Sequence, residues 1–267
     1  MDLSNIRTGA IESLRISFAK GQRPANIGSA MKEERKFYFK VSLIVYFLWF
    51  IFFEAIGQHA SVLDARDLTS SIDRQIPLIP EFVWPYMLCY VFPFLPLFVV
   101  RDWHRFNRAL LSIILANLSA FILYLVIPVS FPRPELTRGI SARLLSLIYA
   151  IDFDPGANKL PSLHVTFTWI VYLACRGQRL SRFGETTVFF LAVIITLSAL
   201  FVKQHIIIDV VVGIFWAFTA WTLGGYSYRL LTDPRSDARV GLKQMTGKVI
   251  PAVFAFSVVV LSVILFG

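Results

Sequence analysis

Two histidines, a serine, an aspartate and three cations are the side chains of this sequence best placed to do chemistry. Asn158-Lys159-Leu160-Pro161-Ser162-Leu163-His164 is a polar loop that runs straight into an apolar helix, and the stretch from Phe201 to Asp209 carries Lys203 and His205 into another. Pro161 suits a first helical turn because it has no amide hydrogen to leave unsatisfied. Ser162 can then donate its hydroxyl to an anion that the unpaired amides of the same turn also face, with His164 two residues on. His205 and Asp209 are four residues apart, so on a helix they share a face. An ionised aspartate that accepts a hydrogen bond from one ring nitrogen fixes the tautomer and leaves the other nitrogen free to attack. Asp209 lies about one turn inside an apolar run, where a carboxylate is costly without a partner.

Arg133, Lys159 and Lys203 bring positive charge to the same set. Phosphoryl transfer needs mainly positioning and stabilisation of spreading negative charge, which these residues can supply. Two histidines and an aspartate would also suit a metal ion, but the adjacent cations argue for an anion. His59 and His104 read as interface residues.

The elements that must position these groups are membrane helices. Of the 267 residues, 56% are hydrophobic and only 16% charged, against roughly a quarter charged in a soluble domain. The net charge of +9 comes from basic residues dispersed among apolar runs, a pattern that orients membrane proteins and argues against a nucleic-acid stripe. Cys89 and Cys175 both fall in apolar runs, against a disulfide framework or a metal site.

Residues 1–36 form a basic leader, read either as an interfacial helix on anionic lipid or as a tail. No cleaved signal peptide is evident, because the first apolar run begins near Tyr38. Seven spans are expected: Tyr38–Ile56, Val83–Val100, Ala109–Val129, Leu163–Cys175, Thr187–Val202, Ile206–Gly224 and Val249–Phe266. The second holds Pro85, Pro93 and Pro96 and should kink. Phe82, Trp84 and Tyr86 read as a headgroup-level cluster, and Glu54 as an interface residue. A short helix is expected from Ser141 to Ile151, and residues 229–248 as a basic loop.

Lys and Arg distribute unequally on alternate sides of these spans. With the N-terminus inside, 19 of the 26 lie inside and 7 outside. The positive-inside rule then makes the N-terminus cytoplasmic and sends the loop before His164 and the turn before His205 to one outer face.

Arg133-Pro134, then Pro161-Ser162-Leu163-His164, then Ser198 with His205 and Asp209, resemble in order and spacing the three signature motifs of the type 2 phosphatidic acid phosphatase (PAP2) superfamily. Leu163 makes the second motif more similar to the inositol phosphoceramide synthase branch and its bacterial relatives. The resemblance implies an all-α integral membrane fold, a six-helix bundle over residues 37–228, here with an additional transmembrane helix over 249–267. It implies His205 as nucleophile, Asp209 as its orienting partner and His164 as the acid that protonates the leaving oxygen. Arg133 and Ser162 match phosphate ligands, and the family needs no metal or other cofactor. Its lysine and third-motif arginine fall on Val126 and Ala199, so Lys159 and Lys203 are the cations left to complete the cradle.

The expected function is therefore a lipid phosphatase in a bacterial plasma membrane. It would hydrolyse a lipid phosphate monoester or diphosphate at the outer face through a phosphohistidine. Transfer of a phospho-head group to a lipid or polyol alcohol would use the same residues. A transporter or structural protein that keeps the motifs without activity is the reading from a different class.

Overall fold

The computed structural model describes residues 27–136, 138–152, 156–178, 180–233 and 235–266. The reading of residues 1–26 as an interfacial helix or tail lies outside them. The fold is 75% helical, with no strand among the described residues. Among the described residues ten α-helices follow in order: α1 Ile27–Ala60, α2 Ser71–Gln75, α3 Val83–Val91, α4 Pro96–Val99, α5 Trp103–Val126, α6 Ile140–Ile151, α7 Leu163–Cys175, α8 Arg182–Phe201, α9 Ile207–Leu231 and α10 Ala238–Phe266. Among the described residues, four segments are long and apolar enough to cross a membrane: Lys32–Ala60 within α1, and all of α5, α8 and α9. The chain is thus all-helical and of membrane character.

Two stretches differ from the expected spans. Residues 83–100 break into α3, a 3₁₀ turn at Phe92–Phe94 and the four-residue α4, because Pro93 and Pro96 supply no amide to continue the ladder. The basic segment 229–248 is largely helical rather than loop. α9 runs on to Leu231, and α10 begins at Ala238.

From Val45 onward the chain forms one unit, centred on α5, α7 and α9, which pack on one another, with α8 against α7 and α3. Apolar burial gives little drive to helix association inside a bilayer, so close packing must do it. Gly213 of α9 shows how: a Cβ there would lie 2.8 Å from the Ser162 carbonyl oxygen and 3.3 Å from Val165 Cβ. The missing side chain lets α9 lie directly on the start of α7. Thr166 Oγ1 donates to the Gly213 carbonyl at 3.0 Å. The far side of α9 presents exposed Val211, Phe215 and Phe218, as a lipid-facing surface requires.

The loops assigned to one side by charge counting meet at one end of this unit. The Arg66 amide donates to Pro128, Ser130 to Arg66 and Val129 to Ala157, while Ile79 donates to Phe201. At the other end, Arg105 closes the C-terminus of α7 by donating to the carbonyls of Leu173, Ala174 and Arg176, a favourable place for a cation. There His104 Nδ1 lies 2.9 Å from the Tyr228 hydroxyl, far along the helices from His164 and His205.

Candidate functional site

α7 has only 13 residues and so rises about 20 Å, some 10 Å short of a hydrocarbon core. The loop that precedes it therefore dips into the bundle, and Asn158, Lys159 and Ser162 are all buried. Tyr124 of α5 fixes the loop by donating its hydroxyl to the Pro161 carbonyl at 2.7 Å. Ser162 is the N-cap of α7, its Oγ accepting from the Val165 amide at 3.4 Å. This corrects one expectation: Pro161 precedes the cap instead of opening the helix. The Ser162 hydroxyl, fully buried, accepts from its own helix and keeps its hydrogen to donate.

The turn between α8 and α9 is held in a similar way. The amides of Gln204 and His205 both donate to the Ala199 carbonyl, and Tyr149 donates its hydroxyl to Val202 at 2.6 Å. Lys203 makes the reversal with φ 52°. At the start of α9, Asp209 Oδ2 accepts from the Ile206 amide at 3.2 Å. The same oxygen lies 3.3 Å from His205 Nδ1. The expected i, i+4 pair is therefore formed, and it leaves Nε2 as the outward nitrogen of His205.

That nitrogen points at the other histidine. His205 Nε2 and His164 Nδ1 are 3.5 Å apart, with ring centroids separated by 5.8 Å. The residues that charge counting sent to one face, about forty positions apart in sequence, are thus in direct contact. Burial first, and then the Lys159 charge, push His205 far below the usual histidine range, to about 3. The imidazole is neutral and keeps its lone pair. Aromatic rings enclose His164: the Tyr86 hydroxyl lies 3.3 Å from Nδ1, and Phe53 and Tyr90 stand edge-on to the ring.

Beside the histidines lies a buried charge cluster. Arg133 Nη2 and Lys159 Nζ both donate to Asp152 Oδ2, at 2.6 and 2.5 Å. The side chains of the two cations are 3% exposed and that of Asp152 is 13% exposed. Arg133 also donates to the Tyr149 carbonyl and to Gln204 Oε1, and stacks over the Tyr149 ring. Burial opposes the Asp152 charge, but Lys159 and then Arg133 outweigh it and hold the carboxyl below its usual range. Burial pulls the Lys159 ammonium down, against the opposing pull of Asp152.

Lys203 does not join this cluster. Its Nζ donates to the Asp73 carbonyl at 2.8 Å, because the left-handed turn directs it toward α2. The Asp73 carboxylate in turn accepts from the Ile207 amide at 2.7 Å, so α2 clamps both sides of the His205 turn. Of the two lysines expected to complete a phosphate cradle, only Lys159 stands with Arg133. Val126 is exposed at the end of α5, and Ala199 is buried behind the turn.

Four residues of the site were not singled out from sequence. Asp152 and Gln204 join it through tertiary contacts that leave no local pattern. Tyr86 was read as a headgroup-level aromatic but is 1% exposed and faces His164. The spacing Phe82, Tyr86, Tyr90 at intervals of four was the available signal of a buried face. Asp73 was signalled by the capping box that it forms with Ser70.

No model of a known protein family matches the chain, and no solved structure matches it. An uncharacterized protein of Methanocaldococcus jannaschii is 25% identical over 122 residues, 46% of this chain and 48% of that protein. The chain spans about half the length of this relative.

Proposed function

We propose that this chain is a membrane phosphoryl-transfer enzyme of the PAP2 kind, with a six-helix core and a further C-terminal span. In this reading it is a lipid phosphatase that takes the phosphate of a lipid monoester or diphosphate at the extracytoplasmic face. The observation that carries the proposal is the contact of His205 Nε2 with His164 while His205 Nδ1 is held at Asp209. One neutral imidazole is oriented for attack, and a second is within proton-transfer reach of the same place.

The lipid phosphate enters beside Arg133 and Lys159 and separates the two rings, because a phosphorus atom attacked from His205 must sit between them. His205 Nε2 forms a bond to phosphorus as the bond to the ester oxygen breaks. His164, protonated as the anion arrives, gives its proton to the departing alkoxide. Water then attacks the phosphohistidine, loses a proton to His164 and frees His205. The cations offset charge on the transferring group.

A second reading is supported by the enclosure of His164 among Tyr86, Tyr90 and Phe53. A water-poor site would preserve the phosphohistidine until an alcohol arrived, giving head-group transfer instead of hydrolysis. The purified protein, given a panel of lipid phosphates and phosphodiesters with and without alcohol acceptors, separates the readings. Released inorganic phosphate supports hydrolysis and a transferred head group supports transfer. Neither product, with His205→Ala indistinguishable from wild type in every assay, would leave a transporter or structural protein.

A further inference from the structure

Gln204 stands one residue before His205, and its side chain is turned into the bundle, with 1% of the residue exposed. Arg133 Nη2 donates to its Oε1 at 3.2 Å. A guanidinium has only hydrogens to offer, so the oxygen end of the carboxamide must face Arg133 and the nitrogen end is the one left over. That nitrogen, Nε2, is buried and has no hydrogen-bond partner. A buried donor left unpaired is costly, and a group that accepts from it binds with that cost relieved.

The neighbours fix what such an acceptor would be. The amides of Gln204 and His205 donate to one carbonyl, that of Ala199, so the turn that presents the imidazole presents the carboxamide as well. Arg133 Nη2 bridges Gln204 Oε1 and Asp152 Oδ2. Arg133 and Lys159 are both near enough to His205 for their charges to act on its ring. A donor among cations, beside a nucleophile, suits an oxygen that carries negative charge.

We propose that Gln204 is a ligand of the phosphoryl group, its Nε2 donating to a non-bridging oxygen when the phosphate parts the two imidazoles. The inference rests on the phosphate-binding reading given above and adds a neutral donor to its cations. His205 is itself only 5% exposed, so the opening that admits phosphorus to its ring also uncovers the carboxamide next to it. Arg133 keeps the amide from turning. The N–H therefore needs no reorientation as charge grows on the oxygen, which is the condition for a preorganised donor to assist transfer.

The test uses the full-length protein in detergent, labelled with nitrogen-15 in its glutamine side chains and titrated with inorganic phosphate. The carboxamide signal of Gln204 is the one missing from Gln204→Met, a change that keeps the length of the side chain and removes its donor. Its proton resonances are expected to move downfield as phosphate binds. Gln204→Met should bind phosphate about tenfold or more weakly, the scale of a hydrogen bond to a charged group. Gln204→Glu guards against misfolding, because its carboxylate still accepts from Arg133 but cannot donate. It should melt no lower than wild type and hold phosphate more weakly still.

Phosphate binding that leaves the Gln204 signal in place overturns the proposal, as does binding equally tight in wild type and Gln204→Met, or wild type that binds no phosphate. A purely structural Gln204 would lower the melting temperature of Gln204→Met without moving the signal. A shifted Gln204 signal in a protein that turns over no lipid phosphate would keep this inference and reject the catalytic one. Turnover with an unmoved signal would do the reverse.

Discussion

Asp209 places one carboxylate oxygen 3.3 Å from His205 Nδ1 and 3.2 Å from the amide of Ile206, so a single atom sets both the helix start and the imidazole. This double use has a consequence for mutation. Asp209→Asn keeps the shape but can present an amide N–H to the ring, favouring the wrong tautomer. It should lower kcat on the order of ten-thousandfold, as loss of an orienting carboxylate does in serine hydrolases, while the thermal midpoint falls by much less. Steady-state kinetics beside a melting curve checks the split.

The two lysines of the motif loops should behave differently. Lys159 donates to Asp152 within the charge cluster, whereas Lys203 donates to the Asp73 carbonyl on α2. Lys159→Met is expected to raise KM for a lipid phosphate by tenfold or more. Lys203→Ala should leave KM within about threefold of wild type and appear instead as lower thermal stability. Equal effects on KM would place Lys203 in the phosphate cradle after all.

Asp73 gives the fold a dependence on acid. Burial opposes its charge, but hydrogen bonds from Ser70 and from the Ile207 and Ser70 amides hold the carboxyl below its usual range. A carboxyl depressed in the folded state adds stability at neutral pH, and that contribution is lost as pH falls through the range below the ordinary carboxylate value. Asp73→Asn should therefore be less stable than wild type at pH 7, by about 1 kcal/mol for a lost helix-terminal acceptor. The two proteins should converge in acid. Denaturation of both from pH 7 down to pH 3 measures the closing gap.

Gly213 tests the packing that brings α7 and α9 together. A methyl group there would meet the Ser162 carbonyl at 2.8 Å, which is backbone and cannot swing away. Gly213→Ala should cost about 1–3 kcal/mol by overpacking. It should also lower activity by moving the cap of α7, and with it His164, away from His205. Melting temperature and kcat of the variant are the readouts.

What could be read from the chain follows the range of the interactions. The His205–Asp209 pair lies within one helical turn, so spacing alone revealed it. The meeting of His164 with His205 is long-range, yet the charge asymmetry of the loops placed both on one surface, and the contact between their imidazoles agrees with that. Asp152 could not be found in this way. Its role depends on α6 delivering it between Arg133 and Lys159, nineteen and seven residues away, and no periodicity encodes that. The direction of Lys203 was likewise hidden, because it is decided by one left-handed residue in a turn. Composition announced the membrane helices but misjudged the segment from 229 to 248, where charged residues proved compatible with helix.

The side of the membrane is open to a direct test. Val62 lies in a loop at the His164 end and Arg235 between α9 and α10, and both are exposed. Cysteines placed singly at these positions should label from opposite sides with an impermeant reagent, Val62→Cys from outside. Labelling of Val62→Cys only from the cytoplasm would reverse the orientation.

The central claim is that His205 becomes phosphorylated, and the most direct measurement is a rapid quench of the purified protein with a phosphate-labelled lipid substrate. Wild type should carry label on His205 that survives base and is released by acid, at up to one equivalent, and His205→Ala should carry none and turn over nothing. Unimpaired turnover by His205→Ala, or label that resides on another residue, would contradict the account.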